Sequence, residues 1–217
     1  MEPLRLYWRP GAASMAPHAA LAEIGVEYEL VRIEREAAQA DAGYRALNPL
    51  GVVPTLVDGD LVLTESAAIL LYLADRYPQA RLAPEDRAQF YRWLVFMTNT
   101  LQTAFLRLFY PERYGGGDQV RRAAAAEAQG HFDLIERSLD GRDWLVGEHR
   151  TAADLFLFML TRWGRRLEPP AWNRPALRAH FSRTLALPGV RRMVEEQQLE
   201  LPDWAEPTFA DPGREGP

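Results

Sequence analysis

The stretch NPLGVVPTLVDGDLVLTESAAILLYLADRYP, Asn48 to Pro78, decides the fold. Two short β-rich runs inside it, Thr55 to Val57 and Leu61 to Leu63, flank Asp58-Gly59-Asp60. A tight turn there needs a positive φ that Gly59 adopts at little cost, so the spacing predicts a β-hairpin. Directly afterwards Thr64-Glu65-Ser66 presents capping side chains before Ala67, Ile69, Leu70, Leu71, Leu73 and Ala74, which read as a buried helix ending near Tyr77-Pro78. Pro54 opens the first strand, so Val53 is held extended, with its backbone N–H and C=O free to pair with something outside the sheet. The polar corner between strand and helix is where a ligand is expected, an anion lying between Val53 and the positive end of the helix dipole. Thr64 to Ser66 can also be read as a helix cap and nothing more; the adjacent Val53-Pro54 and hairpin favour the ligand reading.

Upstream, Leu4 to Trp8 reads as a first strand ended by Arg9-Pro10-Gly11, and Ala16-Pro17 starts a helix that runs to about Ile24-Gly25. Ser14 is the one hydroxyl at that strand-to-helix corner. Tyr28 to Ile33 forms a second strand, and a crossover through a helix implies a parallel pair. From Arg35 to Leu47 the chain reads as a loop with one irregular helix. The order β-α-β-α-β-β-α describes a small sheet with helices on its faces. Downstream of Ala80 to Pro84, strand signals vanish. Asp86 to Tyr110, Val120 to Leu139, Ala152 to Arg166 and Pro175 to Gln198 each carry apolar residues at helical spacing. Pro111 to Asp118, with three consecutive glycines, reads as a break. The expected domains are 1–79, mixed α/β, and 85–205, all-helical, followed by an irregular tail, 206–217.

The 217 residues, 47% of them hydrophobic, are enough for a real core. A balance of 25 basic and 30 acidic residues, net charge −5 and with no long basic run, argues against nucleic acid and anionic membranes as partners. With no cysteine, disulfides, thiolate metal sites and a protein thiol nucleophile are excluded, so any sulfur chemistry belongs to a bound molecule. His18, His131, His149 and His180 show no metal-ligand spacing, and no metal is expected. Nor does any nucleophile-elbow motif surround Ser14. No apolar run approaches the roughly 18 residues of a membrane span, and a cytoplasmic protein is expected.

These features together resemble the glutathione S-transferase family: a β-α-β-α-β-β-α domain, a proline opening its third strand, Glu65-Ser66 at a helix start and an all-helical second half. LYWRPGAASMAPHAALAEIG, Leu6 to Gly25, is similar to the first motif of the bacterial beta class in its Pro-Gly-Ala, Ser and Ala-Pro-His pattern. Thr151-Ala152-Ala153-Asp154 is similar to the family's buried capping box. The resemblance implies a thioredoxin-like N-terminal domain plus an all-α C-terminal domain, a cis Val53-Pro54 peptide, and glutathione as co-substrate. The Val53 backbone would pair with the cysteinyl backbone of glutathione, and Glu65 and Ser66 would hold the γ-glutamyl end. It also implies a homodimer.

Beta-class enzymes carry a cysteine just before the Ser14 position, where this chain has Ala13. Tyr7 is expected to face away from the site, with Trp8 at the strand end where tyrosine-type enzymes place their hydroxyl. Ser14 is then the remaining candidate for a hydrogen bond to the glutathione sulfur, unless it is an ordinary turn or capping serine. A free thiol has a pKa of about 8.5 and such surroundings lower it to about 3.5–7.5. The class's histidine and lysine are replaced by Gln102 and Thr103, and its polar residues near Asn48 by Leu50 and Val52, so the glycyl carboxylate lacks an obvious partner; Arg9 and Arg35 are candidates. Asn99, Gln102, Arg107 and Tyr110 are expected to line the pocket for a small electrophilic second substrate, although aromatic residues at helical spacing, such as Phe105, are also core formers. The expected function is activation of the glutathione thiol for attack on that electrophile; the alternative is a non-catalytic binding or regulatory protein of the same fold.

Overall fold

A computed structural model describes residues 3–205; the expected tail, 206–217, lies outside the described residues. The chain opens with β1 (Leu4–Trp8), α1 (Met15–Ile24) and β2 (Tyr28–Arg32), continues through α2 (Arg35–Ala40) and α3 (Ala42–Leu47), and completes the sheet with β3 (Thr55–Asp58), β4 (Leu61–Thr64) and α4 (Ser66–Arg76). Strand order is β2-β1-β3-β4. β1 and β2 are parallel with Leu6 opposite Leu30, while β3 runs antiparallel to β1 with Leu56 opposite Leu6 and β4 antiparallel to β3. Alternation along β1 buries Leu4, Leu6 and Trp8. Trp8 faces His18 of α1 (ring centroids 6.1 Å), whereas Tyr7 lies on the opposite face against Tyr44 of α3 (5.1 Å).

The stretch expected to be loop with one irregular helix is two helices. They meet at Asp41, whose carboxylate caps α3 by accepting from the amides of Gly43 (2.7 Å) and Tyr44 (3.1 Å). Gly51 then turns the chain toward β3 with φ +61°; a Cβ there would sit 2.8 Å from the Ala38 carbonyl oxygen, so no other residue fits without displacing α2.

The second half is helical: α5 (Arg87–Phe96), a π-helical turn (Met97–Leu101), α6 (Gln102–Phe109), α7 (Asp118–Leu139), α8 (Ala152–Trp163), α9 (Pro175–Leu185) and α10 (Pro188–Glu196). The run read as a single helix from Pro175 to Gln198 is divided before Pro188. Proline has no N–H for the helical ladder and forces the preceding Leu187 into an extended backbone (ψ 134°), so α10 starts afresh. Every residue of α8 is buried, which makes it the central core helix. Its capping box is present. Asp154, fully buried, accepts from the Thr151 amide (2.7 Å), the Thr151 hydroxyl (2.9 Å), the Leu145 amide (2.8 Å) and His180 Nε2 (2.9 Å). α1 packs on α8 and α10. There Gly189 lies so close that an added Cβ would meet the Glu23 backbone at 2.4 Å, and the Glu23 carboxylate accepts from the Gly189 amide (2.6 Å) and from Arg150 (2.6 Å).

Candidate functional site

A cleft of about 480 Å³ opens between the sheet domain and the helices. One wall is built mostly of backbone. Tyr44 Oη and Asn48 Nδ2 both donate to the Val52 carbonyl (2.5 and 2.7 Å) and both reach Thr55 Oγ1, which fixes the segment entering β3. The Val53-Pro54 peptide is cis. Val53 lines the cleft, and neither its N–H nor its C=O has a partner among the described residues, so two backbone hydrogen-bonding groups are left for a ligand. Next to it, α4 begins at Glu65, held at φ 69° and ψ 119°. A non-glycine residue in that region costs about 1–3 kcal/mol and is a mark of functional sites. The Glu65 carboxylate lines the cleft and has no ion-pair partner among the described residues. No side chain caps α4, so the amides of Ser66, Ala67 and Ala68 remain without acceptors there.

The turn between β1 and α1 closes this wall and is held from four directions. Ser14 Oγ accepts from the Arg9 amide and donates to the Arg9 carbonyl (3.2 Å each). Trp163 Nε1 donates to the Gly11 carbonyl (2.9 Å), the Gly11 amide donates to Gln197 Oε1 (3.1 Å), and Ser66 Oγ donates to the Ala13 carbonyl (2.9 Å). The amides of Ala13 and Ser14, at the start of α1, have no acceptor among the described residues.

The other wall is built of side chains. Gln102, Leu106, Phe109, Tyr110 and Trp163 line it, together with Arg113, Arg165 and Arg166. Arg35 and Arg113 stack on the Tyr110 ring (4.2 and 4.7 Å from the centroid), and Arg166 lies over Phe109 (5.4 Å). Behind them Arg162 is buried with its Nη2 on the Glu200 carbonyl (3.2 Å); burial, then the charge of Arg165, pushes its guanidinium down to about 10. Arg165 is shifted down as well, by burial and then by Arg166.

The family model "Glutathione S-transferase, N-terminal domain" matches residues 2–75, and "Glutathione S-transferase, C-terminal domain" matches residues 96–188. The chain belongs to the glutathione S-transferase family. A relative from Xanthomonas campestris named a glutathione S-transferase is 32% identical over 204 residues, covering 90% of this chain and all of that protein. Among solved structures, the beta-class transferase of Sphingomonas chungbukensis superposes with a TM-score of 0.82 at 31% identity, over 90% of this chain and all of that one. A sphingomonad transferase complexed with glutathione gives 0.82 at 32%, with the same coverage. The fold is therefore the family's thioredoxin-like domain followed by the helical domain, with a bacterial beta-class transferase among its structural neighbours, and the chain has no cysteine.

Measured against this transferase cleft, Val53, Pro54, Glu65 and Ser66 all line it, as do Gln102 and Tyr110. Three expected residues stand elsewhere. Ser14 is fully buried with both hydrogen-bonding roles of its hydroxyl engaged by Arg9, so it shapes the turn and presents no free group to the cleft. Arg107 sits one position past Leu106, about 100° around α6, and is drawn to Glu127 of α7 (2.7 Å). Asn99 falls in the π-helical turn, whose wider winding takes it off the face shared by Gln102, Leu106 and Tyr110. Phe105 is core, packed against Phe109, Phe132 and Trp163.

Sequence reading missed Tyr44, Trp163, Gln197, Arg165 and Arg166. Trp163 and Gln197 reach Gly11 from 152 and 186 residues away, beyond any local spacing signal. Arg165-Arg166 was visible only as a basic pair closing an apolar helix, a placement that the helix dipole alone would favour.

Proposed function

We propose that the protein binds reduced glutathione along the backbone wall and activates its thiol for attack on a small electrophile held at the side-chain wall. The observation that carries this reading is the unpartnered Val53 backbone lying beside the uncapped start of α4 and the unpaired Glu65 carboxylate. A peptide backbone can pair with Val53 as an added strand does. The γ-glutamyl carboxylate fits the free amides of Ser66 and Ala67, and its ammonium fits Glu65. The hydroxyl proton of Ser66 is engaged by Ala13, so Ser66 offers its amide and an accepting oxygen rather than a donated hydroxyl hydrogen bond. Arg9 or Arg35 takes the glycyl carboxylate. The cysteinyl sulfur then lies at the Ala12-Ala13 turn, where the free amides of Ala13 and Ser14, the α1 dipole and the nearby guanidinium charge favour the thiolate. Lowering the thiol pKa by about two units corresponds to roughly 2.7 kcal/mol of differential stabilisation. Ser14 acts in this reading as a structural residue of the turn, through its bonds to the Arg9 backbone.

The domains of this reading are 1–79 for glutathione and 85–205 for the electrophile side. It is a cytoplasmic detoxification enzyme acting as a homodimer, with Leu61 and Val62 on the edge strand β4 and Tyr91 and Val95 on α5 as the exposed apolar residues a second copy would cover.

The test is the pH dependence of kcat/KM with glutathione and an aryl halide, for the natural protein and Ser14→Ala. The expected result is saturable turnover with an unchanged profile and a lower melting temperature for Ser14→Ala. A profile displaced upward by about a pH unit or more would return the hydroxyl to the sulfur. Absence of turnover across electrophile classes at saturating glutathione would establish the non-catalytic alternative.

A further inference from the structure

We infer that the second substrate is an anion: an electrophile with a flat apolar body that carries a carboxylate or sulfonate, received by Arg113 and Arg166. This rests on the glutathione reading above and assigns the chemistry of its partner.

In a chain of net charge −5, the cleft is lined by five arginines, Arg9, Arg35, Arg113, Arg165 and Arg166, and by one carboxylate, Glu65. None of the five belongs to an ion pair among the described residues, a condition they share with other arginines of the chain; what sets them apart is that all five line one concavity. Concentrating unpaired like charge in one concavity is unfavourable unless an anion enters it. Arg165 is shifted down chiefly by its burial, with the neighbouring Arg166 charge adding to the shift.

Glutathione does not account for all of this charge. Its ammonium faces Glu65, its α-carboxylate faces the α4 amides, and its glycyl carboxylate needs one guanidinium on the sheet side. The three cations of the helical wall, Arg113, Arg165 and Arg166, are left over. Two of them are oriented by aromatic faces, Arg113 by Tyr110 and Arg166 by Phe109, which leaves the N–H edges of the guanidiniums for a planar anion. Leu106, Phe109 and Trp163 supply the apolar surface for the body of such a molecule.

A matched pair of probes tests the assignment: 4-chloro-3,5-dinitrobenzoate and its methyl ester. With either, the thiolate forms a C–S bond to the ring carbon, the C–Cl bond breaks, chloride leaves, and the thiol proton passes to solvent. The two glutathione conjugates thus formed, one with a free carboxylate and one esterified, are titrated calorimetrically into the full chain alongside reduced glutathione. The carboxylate conjugate is expected to bind about ten- to hundred-fold more tightly than its ester, the range for a charge-assisted hydrogen-bonded pair. In the double variant Arg113→Gln/Arg166→Gln, both positions being exposed, the preference is expected to vanish while the affinity for reduced glutathione is unchanged. Equal binding of the two conjugates, tighter binding of the ester, or a preference that survives in the double variant would overturn the inference and leave glutathione binding standing. Failure of reduced glutathione itself to bind would instead overturn the reading on which the inference rests.

Discussion

The two walls of the cleft are made of different material. On the sheet side, ligand groups are main-chain amides and carbonyls, at Val53, at the start of α4 and in the Arg9–Ser14 turn, held by neighbours such as Tyr44, Asn48, Ser66, Trp163 and Gln197. On the helical side they are arginine and aromatic side chains stacked on one another. Main-chain recognition is tolerant of side-chain change as long as the turns, the proline and the helix start persist, so it suits a ligand shared across a family. Side-chain recognition changes with each substitution and suits a variable second substrate.

That contrast can be broken first at the core on which the helical wall stands. Asp154→Ala removes the acceptor of four hydrogen bonds in a fully buried site and leaves Thr151, Leu145 and His180 donors without partners. A loss of about 3–5 kcal/mol is expected in denaturant unfolding; a cost below about 1 kcal/mol would show that the cap does not order this wall. On the sheet side, Glu65→Gly is expected to act in opposite directions on stability and binding. Relief of the positive φ, less the flexibility that glycine adds to the unfolded chain, is expected to raise stability by about 1 kcal/mol. Loss of the ammonium partner is expected to weaken glutathione about tenfold or more by calorimetry. Stability and affinity falling together would contradict a strained binding residue. Tyr44→Phe, which removes one of two donors to the Val52 carbonyl, is expected to cost about 1 kcal/mol and to raise the glutathione KM with kcat unchanged.

The smallest effect expected is that of pH on the support of the Gly11 turn. Gln197 accepts from Gly11 through Oε1, so its Nε2 donates to His18 Nδ1 (3.0 Å), and His18 is neutral with Nε2–H donating to Glu196 (2.7 Å). Burial pushes the His18 imidazole down against the opposing pull of Glu196, with Arg192 adding to the shift, while Tyr28 shares the Glu196 carboxylate. Burial also works upward on Glu196, but hydrogen bonds from Arg192 and His18 outweigh it and hold its carboxyl low. In the unfolded chain His18 takes a proton near pH 6.5 that the folded chain resists. Stability is therefore whole above about pH 6.5 and declines below it, and Glu196 adds a loss in the same direction as the pH falls through its lowered folded value. Melting temperatures between pH 5 and 7.5 check this: the decline is expected in the natural protein and is expected to flatten in His18→Gln.

The same division of materials explains what could be read in advance. The hairpin at Gly59, the parallel β1–β2 pair, the cis Val53-Pro54 peptide and the Thr151–Asp154 box follow from local residue order or from family motifs, and the structure has them. Of the site, Val53, Pro54, Glu65 and Ser66 were legible because each belongs to the backbone wall. The helical wall was legible only in part. Gln102 and Tyr110 follow from helical spacing, but one π-helical turn moved Asn99 off their face and one ion pair to Glu127 turned Arg107 away. Ser14 lies at the expected corner, but that its hydroxyl is engaged by the Arg9 backbone was not legible, because those bonds depend on how the turn closes. The arginine cluster joins α2, the segment after α6 and the end of α8, a meeting set by packing alone.

Binding and ionisation of glutathione at the backbone wall are read together by calorimetric titration of reduced glutathione at pH 7 in two buffers of different ionisation enthalpy. Binding with release of a substantial fraction of a proton is expected, seen as a heat that depends on the buffer. Binding with the same heat in both buffers would contradict thiol activation, and no binding at millimolar glutathione would contradict the site itself.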